Sequence, residues 1–262
     1  MGIVNITPDS FYGDSRSLSV DEARAKVEQM LEAGATIIDV GAYSSRPGAK
    51  QVNLKEEIER LTPAFKTLRK DFPDTIFSVD TYRSEVASNM VEEFGVNIVN
   101  DISGGELDGK MFETVARLHV PYVLMHMMGS PETMQLNPVY DNVERELFLY
   151  FSEKLKQLNL LGVNDVILDP GFGFGKTIDH NFELLARLND FRVFDLPILA
   201  GFSRKSMIYK LIETTPEGAL NGTTVLNTIA LLKGVSILRV HDVKEAMETI
   251  KIMEQYKKYR NF

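Results

Sequence analysis

Eight short apolar runs recur along this chain, roughly every 25 to 40 residues, and most of them end in a polar residue that could do chemistry. The stretches between them carry apolar residues at helical spacing, so the chain alternates strand-like and helix-like segments. Such an alternation is typical of parallel strands joined by helical crossovers. The predicted strands cover residues 2–6, 36–40, 76–79, 98–99, 121–125, 166–168, 198–200 and 236–240.

Eight strand–helix pairs predict one α/β domain over residues 1–262, a (β/α)8 TIM barrel. The alternative is an open doubly wound sheet, which usually has fewer strands and a glycine-rich nucleotide fingerprint after the first. Here the first strand is followed by residues 7–11, which contain no glycine. In a barrel the active site lies at the carboxyl ends of the strands. The polar residues that end these runs should therefore share one site.

Several details of the helices can also be predicted. Pro63 should kink or restart the second helix, and Asp242 should cap the last one. Helical spacing assigns one apolar face of the seventh helix to Val225, Ile229 and Leu232.

Composition narrows the possible partners and compartment. The net charge of -8 disfavours a general nucleic-acid binder. Cysteine is absent, which excludes disulfides and thiolate zinc sites and fits a reducing cytoplasm. No run approaches the roughly 18 apolar residues of a membrane span, and the start of the chain does not resemble a secretory signal. We expect a cytoplasmic protein with neither nucleic-acid nor membrane partners.

The densest motif covers residues 169–177, with three glycines in five positions. It matches neither a Walker A loop nor GxGxxG, because proline and lysine stand at positions 170 and 176. It could be a plain turn. We favour a ligand loop, since Phe172 and Phe174 on such a loop would expose rings suited to stacking on a flat heterocycle.

Basic residues follow the last two strands. Residues 203–206 follow the seventh strand, and Arg239 and His241 close the eighth. The corresponding loops of TIM barrels often hold a phosphate, so we favour an anion site over a solvated basic turn. Residues 44–48 after the second strand add a weaker signal, Arg46.

Asp80, Asn100 and Asp169 end the third, fourth and sixth strands. Each alone could cap the following helix. Together they could read the donor edge of a heterocycle, because carboxylates accept hydrogen bonds and an amide both donates and accepts. His126 fits either a pocket wall or a core position. No histidine–cysteine pattern indicates a tight metal site, so any metal should be Mg²⁺ held by oxygen ligands and substrate phosphates.

Taken together, these residues resemble the dihydropteroate synthases, within the pterin-binding enzymes, over nearly the whole chain. The motifs that carry the resemblance are residues 5–11, 39–41, 45–48, 78–81, 100–105, 125–127, 169–176, 201–206 and 239–243.

The resemblance implies an enzyme of folate biosynthesis, in a family targeted by sulfonamides. It joins 6-hydroxymethyl-7,8-dihydropterin pyrophosphate to p-aminobenzoate, and 7,8-dihydropteroate and pyrophosphate are the products. It implies a pterin site of Asp80, Asn100, Met125, Asp169, Gly201 and Lys205. Pyrophosphate would bind Asn5, Arg46, Arg239 and His241, with Asn5 also facing Mg²⁺. The p-aminobenzoate site would be bordered by Ser45, Pro47, Phe174 and Ser206. Asp80, Lys205, Arg239 and His241 would be catalytic, and a homodimer contacting through the last helices is expected by analogy.

Two loops depart from the family pattern. Residues 12–15 read Tyr-Gly-Asp-Ser where the family usually has Ser-Asp-Gly-Gly. Residues 42–46 read Ala-Tyr-Ser-Ser-Arg where Gly-Glu-Ser-Thr-Arg is usual. Two other functions remain open: a methyltetrahydrofolate-dependent methyltransferase, which shares the barrel and pterin pocket, and an inactive barrel that carries or senses a pterin.

Overall fold

The computed structural model describes residues 1–6, 19–43, 52–129, 134 and 138–259. Within them run eight short strands, all paired in parallel. Each overlaps a run predicted from the sequence. The strands are β1 (Gly2–Asn5), β2 (Ile37–Gly41), β3 (Ile76–Asp80), β4 (Ile98–Asp101), β5 (Tyr122–Met125), β6 (Val166–Asp169), β7 (Leu199–Ala200) and β8 (Ile237–Leu238).

The strands close into a barrel. Strands β1 to β6 form one sheet in sequence order, and β7 pairs with β8. A parallel bridge between Leu168 and Ile198 joins the two groups on one side. On the other side, the Ile3 N–H donates to Val240 O at 3.0 Å beside a bridge from Gly2 to Val240. The predicted (β/α)8 TIM barrel is confirmed.

Helices follow the strands and surround them. They are α1 (Val20–Glu32), α2 (Leu54–Asp71), α3 (Ser84–Phe94), α4 (Met111–Leu118), α5 (Val143–Leu160), α6 (Ile178–Ala186), α7 (Ser206–Tyr209), α8 (Leu220–Leu232) and α9 (Val243–Lys257). Two 3₁₀ segments, Leu188–Phe194 and Glu217–Ala219, complete the connections. None of the described helices has both the length and the apolar character needed to cross a membrane.

Alternation along each strand decides what enters the barrel. In β6, Val166 and Leu168 belong to the main core cluster, whereas Ile167 belongs to a small separate cluster. That small cluster draws equivalent residues from neighbouring strands: Ile98, Val123, Ile167 and Leu199. Side chains alternate with period two, so the next side chain of β6 to face the interior after Ile167 is that of Asp169, two residues later. Apolar residues thus fill the barrel interior below the carboxyl ends of the strands, and polar residues lie at the carboxyl-end rim.

Three helix predictions differ in part from the structure. Helix α2 runs continuously through Pro63, so it does not restart there. Asp242 is the N-cap residue of α9, as predicted, but its side chain makes no capping bond and pairs with Arg204 at 2.7 Å. On α8 the inner face is Leu226, Asn227, Ala230 and Leu231, with Thr223, whereas Val225 and Leu232 are exposed.

Candidate active site

The three predicted strand-end polar residues lie on the rim of the barrel. Asp80, Asn100 and Asp169 are all buried. In the strand register Asp80 is paired with Asn100, and Met125, itself buried, is paired with Asp169. None of the three serves as the N-cap residue of the helix after its strand. The capping interpretation therefore does not explain them.

Arg239, just after β8, binds two carboxylates. Its Nε donates to Asp39 Oδ2 at 2.7 Å and its Nη2 donates to Asp80 Oδ2 at 2.6 Å. Burial acts to lower the pKa of the guanidinium, but the two aspartates outweigh it and the pKa is raised. Burial in turn raises the pKa of Asp80, against the opposing effect of Arg239. The site therefore contains a buried network in which one guanidinium serves two carboxylates.

Asn100 is oriented by the same network. Its side-chain amide donates to Asp39 Oδ2 at 2.9 Å, and Asp39 is fully buried. With the amide nitrogen committed to Asp39, the amide oxygen is the group that Asn100 can offer as an acceptor. Asp39 therefore positions both Asn100 and Arg239.

Asp169 is held by the glycine-rich loop that follows it. The Gly171 N–H donates to Asp169 Oδ1 at 2.8 Å. Burial raises the pKa of Asp169, and Lys205 is the strongest opposing influence. The loop was predicted to expose two phenylalanines, and this was wrong for Phe172, which is fully buried against Phe202 with ring centroids 4.5 Å apart.

Lys205 lies between the glycine-rich loop and the seventh strand. Its Nζ donates to Phe172 O and sits 4.6 Å from the centroid of the half-buried Phe174 ring. Burial lowers the pKa of Lys205 to about 8, although Asp169 raises it. A Cβ built on Gly201 would lie 3.8 Å from that Nζ and 3.5 Å from Arg239 O. Gly201 thus lies against the Lys205 ammonium group and the backbone of Arg239.

His241 is held by Ser203. Its Nδ1 lies 3.0 Å from Ser203 Oγ, and the His241 N–H donates to the same oxygen at 3.2 Å. A serine hydroxyl that donates to Nδ1 leaves the proton on Nε2, which can then donate to an anion. Arg204, by contrast, is paired with Asp242. Of this basic turn, Lys205 rather than Arg204 is available to the rim, and Ser206 begins α7 beside it.

Of the remaining predicted residues, one lies among those that the structure describes and three do not. Asn5 ends β1 and is paired with Gly41, which is paired with Asp80, so it belongs to the same rim. Ser45, Arg46 and Pro47 lie outside the described residues. Among the described residues, no three His, Cys, Asp or Glu side chains gather as potential metal ligands.

His126 proves to be a core residue. It is buried, and its Nδ1 lies 3.1 Å from Lys176 Nζ. Lys176 also donates to Gly171 O at 3.0 Å and to Phe174 O at 3.1 Å, so it ties the glycine-rich loop to the end of β5. Burial lowers the pKa of Lys176 to about 7, while the acceptors around Nζ favour the charged ammonium form.

Three positioning residues were missed at the sequence level: Asp39, Lys176 and Tyr43. Asp39 was visible as a charged residue inside an apolar strand, and Lys176 as the lysine that closes the glycine motif. Tyr43, whose hydroxyl donates to Asp80 at 3.1 Å, stands in the loop segment that departs from the family pattern.

Comparisons with known proteins point to one family. A family model described as pterin binding enzyme matches residues 1–241. Dihydropteroate synthase of Escherichia coli (strain K12) is 43% identical over 256 residues, covering 97% of this chain and 90% of that protein. The crystal structure of Yersinia pestis dihydropteroate synthase with a sulfonamide drug complex has a TM-score of 0.93 at 39% identity, covering 98% of this chain and 93% of that one. Xanthomonas albilineans dihydropteroate synthase with 4-aminobenzoic acid has a TM-score of 0.89 at 34% identity, covering 99% and 93%.

The closed barrel and its charged carboxyl-end rim define an α/β-barrel enzyme of the TIM type. Within that class, the chain belongs to the pterin-binding enzyme family.

Proposed function

We propose that this chain is a folate-pathway transferase that condenses 6-hydroxymethyl-7,8-dihydropterin pyrophosphate with p-aminobenzoate, releasing 7,8-dihydropteroate and pyrophosphate. The observation that carries the proposal is the rim itself. Asp80 and Asp169 end β3 and β6, and Asn100 is the last residue but one of β4, with Lys205 and Arg239 beside them. The similarity to dihydropteroate synthases over nearly the whole chain supports the same reaction.

The buried acceptors suit a pterin. Asp80 and Asp169 can accept hydrogen bonds from the N–H groups of the heterocycle, and Asn100 offers its amide oxygen beside them. Lys205 can donate to an acceptor on the ring, while its ammonium group stays packed on Phe174. A carboxylate in a site shielded from water also stabilises positive charge that develops on the pterin as its leaving group departs. Met125 and Gly201 would form walls of this pocket.

Pyrophosphate would bind next to the pterin carboxylates. Asn5, Arg239 and His241 lie at the ends of β1 and β8, neighbouring strands in the closed barrel. Together with Arg46, they would donate hydrogen bonds to phosphate oxygens and stabilise the negative charge that accumulates as the C–O bond breaks. Arg239 also donates to Asp80, so it connects the proposed pyrophosphate site with the proposed pterin site.

The second substrate would enter beside Phe174. We propose that Ser45, Pro47, Phe174 and Ser206 border p-aminobenzoate and hold its amine against the exocyclic carbon of the pterin. The amine nitrogen forms the new bond to that carbon, pyrophosphate leaves with the electron pair of the C–O bond, and the nitrogen loses its proton. Holding two reactants in this orientation can account for much of the acceleration.

Mg²⁺ is the metal that we propose. In phosphate-transferring sites it commonly takes one or two protein oxygens and completes its coordination with substrate phosphates. The amide oxygen of Asn5 is such a ligand, and its strand end places it on the same rim as Asp80. When bound, Mg²⁺ would supply positive charge to the leaving pyrophosphate.

Turnover tests the proposed reaction directly. Pyrophosphate release should require the pterin pyrophosphate, p-aminobenzoate and Mg²⁺ together, and omission of any one should abolish it. Absence of release from folded protein with verified substrates would refute the synthase. A methyltransferase would instead use methyltetrahydrofolate, and a carrier would bind a pterin without releasing pyrophosphate.

We also propose that the protein is cytoplasmic. We further propose that it forms a homodimer through its last helices. Its support is the apolar surface of α8 and α9, where Val225 is 49% exposed and Ile252 is 70% exposed. Sedimentation equilibrium should give twice the chain mass, and Val225→Glu should dissociate the dimer. Leu149→Glu on α5, where the side chain is 62% exposed, is the matched control and should leave the mass unchanged. A monomeric wild type would refute the dimer.

A further inference from the structure

The carboxylate of Asp80 is held from both sides. Arg239 donates to Oδ2 at 2.6 Å, and the Tyr43 hydroxyl donates to Oδ1 at 3.1 Å. The two donors come from opposite ends of the chain, one following β8 and the other following β2. With one donor on each oxygen, the plane of the carboxylate is fixed before any ligand arrives.

Tyr43 is itself held in place. Its ring meets Tyr82 edge to face, with centroids 5.2 Å apart and an interplanar angle of 79°. The Tyr82 hydroxyl accepts from Arg83 Nη2 at 2.9 Å, and Arg83 forms an ion pair with the fully buried Glu57. Of these contacts, the one that reaches Tyr43 is the edge-to-face packing of the Tyr82 ring. That packing limits the orientations open to the Tyr43 ring and so helps to aim its hydroxyl at Asp80.

The backbone beside Tyr43 is also anchored. Arg60 of α2 donates from Nη1 to the carbonyl oxygen of Ala42 at 2.9 Å. The end of β2 is thus tied to the helix behind it. Rigid support on both the backbone and the ring is what a group needs if it is to orient another side chain.

We propose that Tyr43 is a positioning residue for the reaction: its hydroxyl orients Asp80 and favours the ionised, accepting form that reads the pterin. Each carboxylate oxygen can accept two hydrogen bonds, so Oδ1 can serve Tyr43 and one pterin N–H together. The inference rests on the proposed pterin site and adds to it a residue at a position where the family usually has glutamate.

The Tyr43 hydroxyl opposes groups around Asp80 that raise the pKa of its carboxylate. Burial raises the pKa of Asp80, and Asp39 on β2 and Glu57 on α2 raise it further. Arg239 and the Tyr43 hydrogen bond act in the opposite direction. Burial also raises the pKa of Tyr43 well above its ordinary value, so the phenol keeps its proton and remains a donor.

Tyr43→Phe tests the inference, because it keeps the ring contact with Tyr82 and removes only the hydroxyl. The probe is 6-hydroxymethyl-7,8-dihydropterin without pyrophosphate, and its Kd is measured by calorimetry from pH 5 to 9. We expect binding about tenfold weaker near neutral pH, as for loss of a hydrogen bond to a charged group. We also expect the acid limb of the binding profile to move to higher pH, so that the loss shrinks toward pH 9.

The matched control is Tyr82→Phe, which keeps the ring that packs against Tyr43 and removes only a hydroxyl that contacts Arg83 rather than Asp80. Its binding profile should match that of the wild type. A Tyr43→Phe profile with an unmoved acid limb would overturn the inference, even if binding were uniformly weaker, because a purely structural role predicts that result. Failure of the wild type to bind the probe would instead refute the proposed pterin site, and this inference with it.

Discussion

Arg239 lies between two buried carboxylates, with its Nη2 2.7 Å from Asp39 Oδ2 and 2.6 Å from Asp80 Oδ2. The cation that follows β8 thus balances charges carried by β2 and β3. From the sequence, Arg239 was predicted to bind pyrophosphate and was not assigned to the pterin site. Because it also supports Asp80, its removal should affect the pterin half of the site and the stability of the fold.

Arg239→Ala should therefore destabilise the protein by about 3–5 kcal/mol, as when one partner of a buried ion pair is removed. The variant leaves Asp39 and Asp80 without their cation, and loss of that cation raises the pKa of Asp80 in the folded state. A raised carboxylate pKa means that the folded state gains protons first on acidification, so the deficit should shrink as the pH falls. Urea unfolding at pH 5 and at pH 8 measures both effects.

The control for this prediction is Arg204→Ala. Arg204 also makes two hydrogen bonds to one aspartate, Asp242, but its side chain is 33% exposed. A partly exposed pair should contribute no more than about 1 kcal/mol. Equal losses for the two variants would contradict the importance assigned to the buried network.

Gly171→Ala should disrupt the glycine-rich loop. Gly171 has φ +69°, and a Cβ there would lie 2.0 Å from the carbonyl oxygen of His126. The backbone must move, and with it the N–H that donates to Asp169. We expect a lower melting temperature together with weaker pterin binding.

Gly162→Ala separates backbone strain from this clash. Gly162 has φ +81°, yet a Cβ there would meet nothing within 4 Å. The variant should lose only the stability that an alanine loses in the left-handed conformation, about 1–2 kcal/mol. Its affinity for the pterin should be unchanged. Similar affinities for the two variants would show that the loop does not position Asp169.

Much of the fold was predictable because it depends on local patterns. The strands were recognisable as apolar runs, and Asp80 and Asp169 stand at the ends of two of them. Clustering at one end follows from parallel strand direction alone. For these reasons the shared site of Asp80, Asn100 and Asp169 could be expected from the sequence.

The pairings inside the site were not predictable. Arg239 and Asp39 are 200 positions apart, and no local rule states that they meet. The inner face of α8 was misassigned for a similar reason. Helical spacing alone allowed more than one apolar face, and Leu226 and Leu231 are buried where Val225 and Leu232 were expected.

Lys176→Met should loosen the glycine-rich loop while preserving the length of the side chain. The change removes the donor that serves Gly171 O and Phe174 O, and buried carbonyls left without a donor cost about 1–3 kcal/mol. Because Phe174 borders the proposed p-aminobenzoate site, the KM for that substrate should rise. Chemical unfolding and steady-state kinetics measure the two effects.

Lys233→Met is the comparison for Lys176. Lys233 is half-buried, and its Nζ also donates to a carbonyl, Ala186 O, at 2.8 Å in a hydrogen bond that is exposed to solvent. Water replaces that hydrogen bond in the variant, so stability and KM should stay close to the wild-type values. A KM for p-aminobenzoate unchanged by Lys176→Met would argue against a role of the loop in that site.

Lys205 should make pterin affinity depend on pH. Burial lowers the pKa of Lys205 to about 8, so the ammonium form that donates to the pterin predominates below that value and is lost above it. The Kd of a bare pterin should therefore rise between pH 8 and pH 9.5, by up to about tenfold per pH unit. Lys205→Arg keeps a charge that does not titrate in this range, so it should bind more weakly but with a flatter profile. The same slope in both proteins would assign the pH dependence to the ligand or to another group.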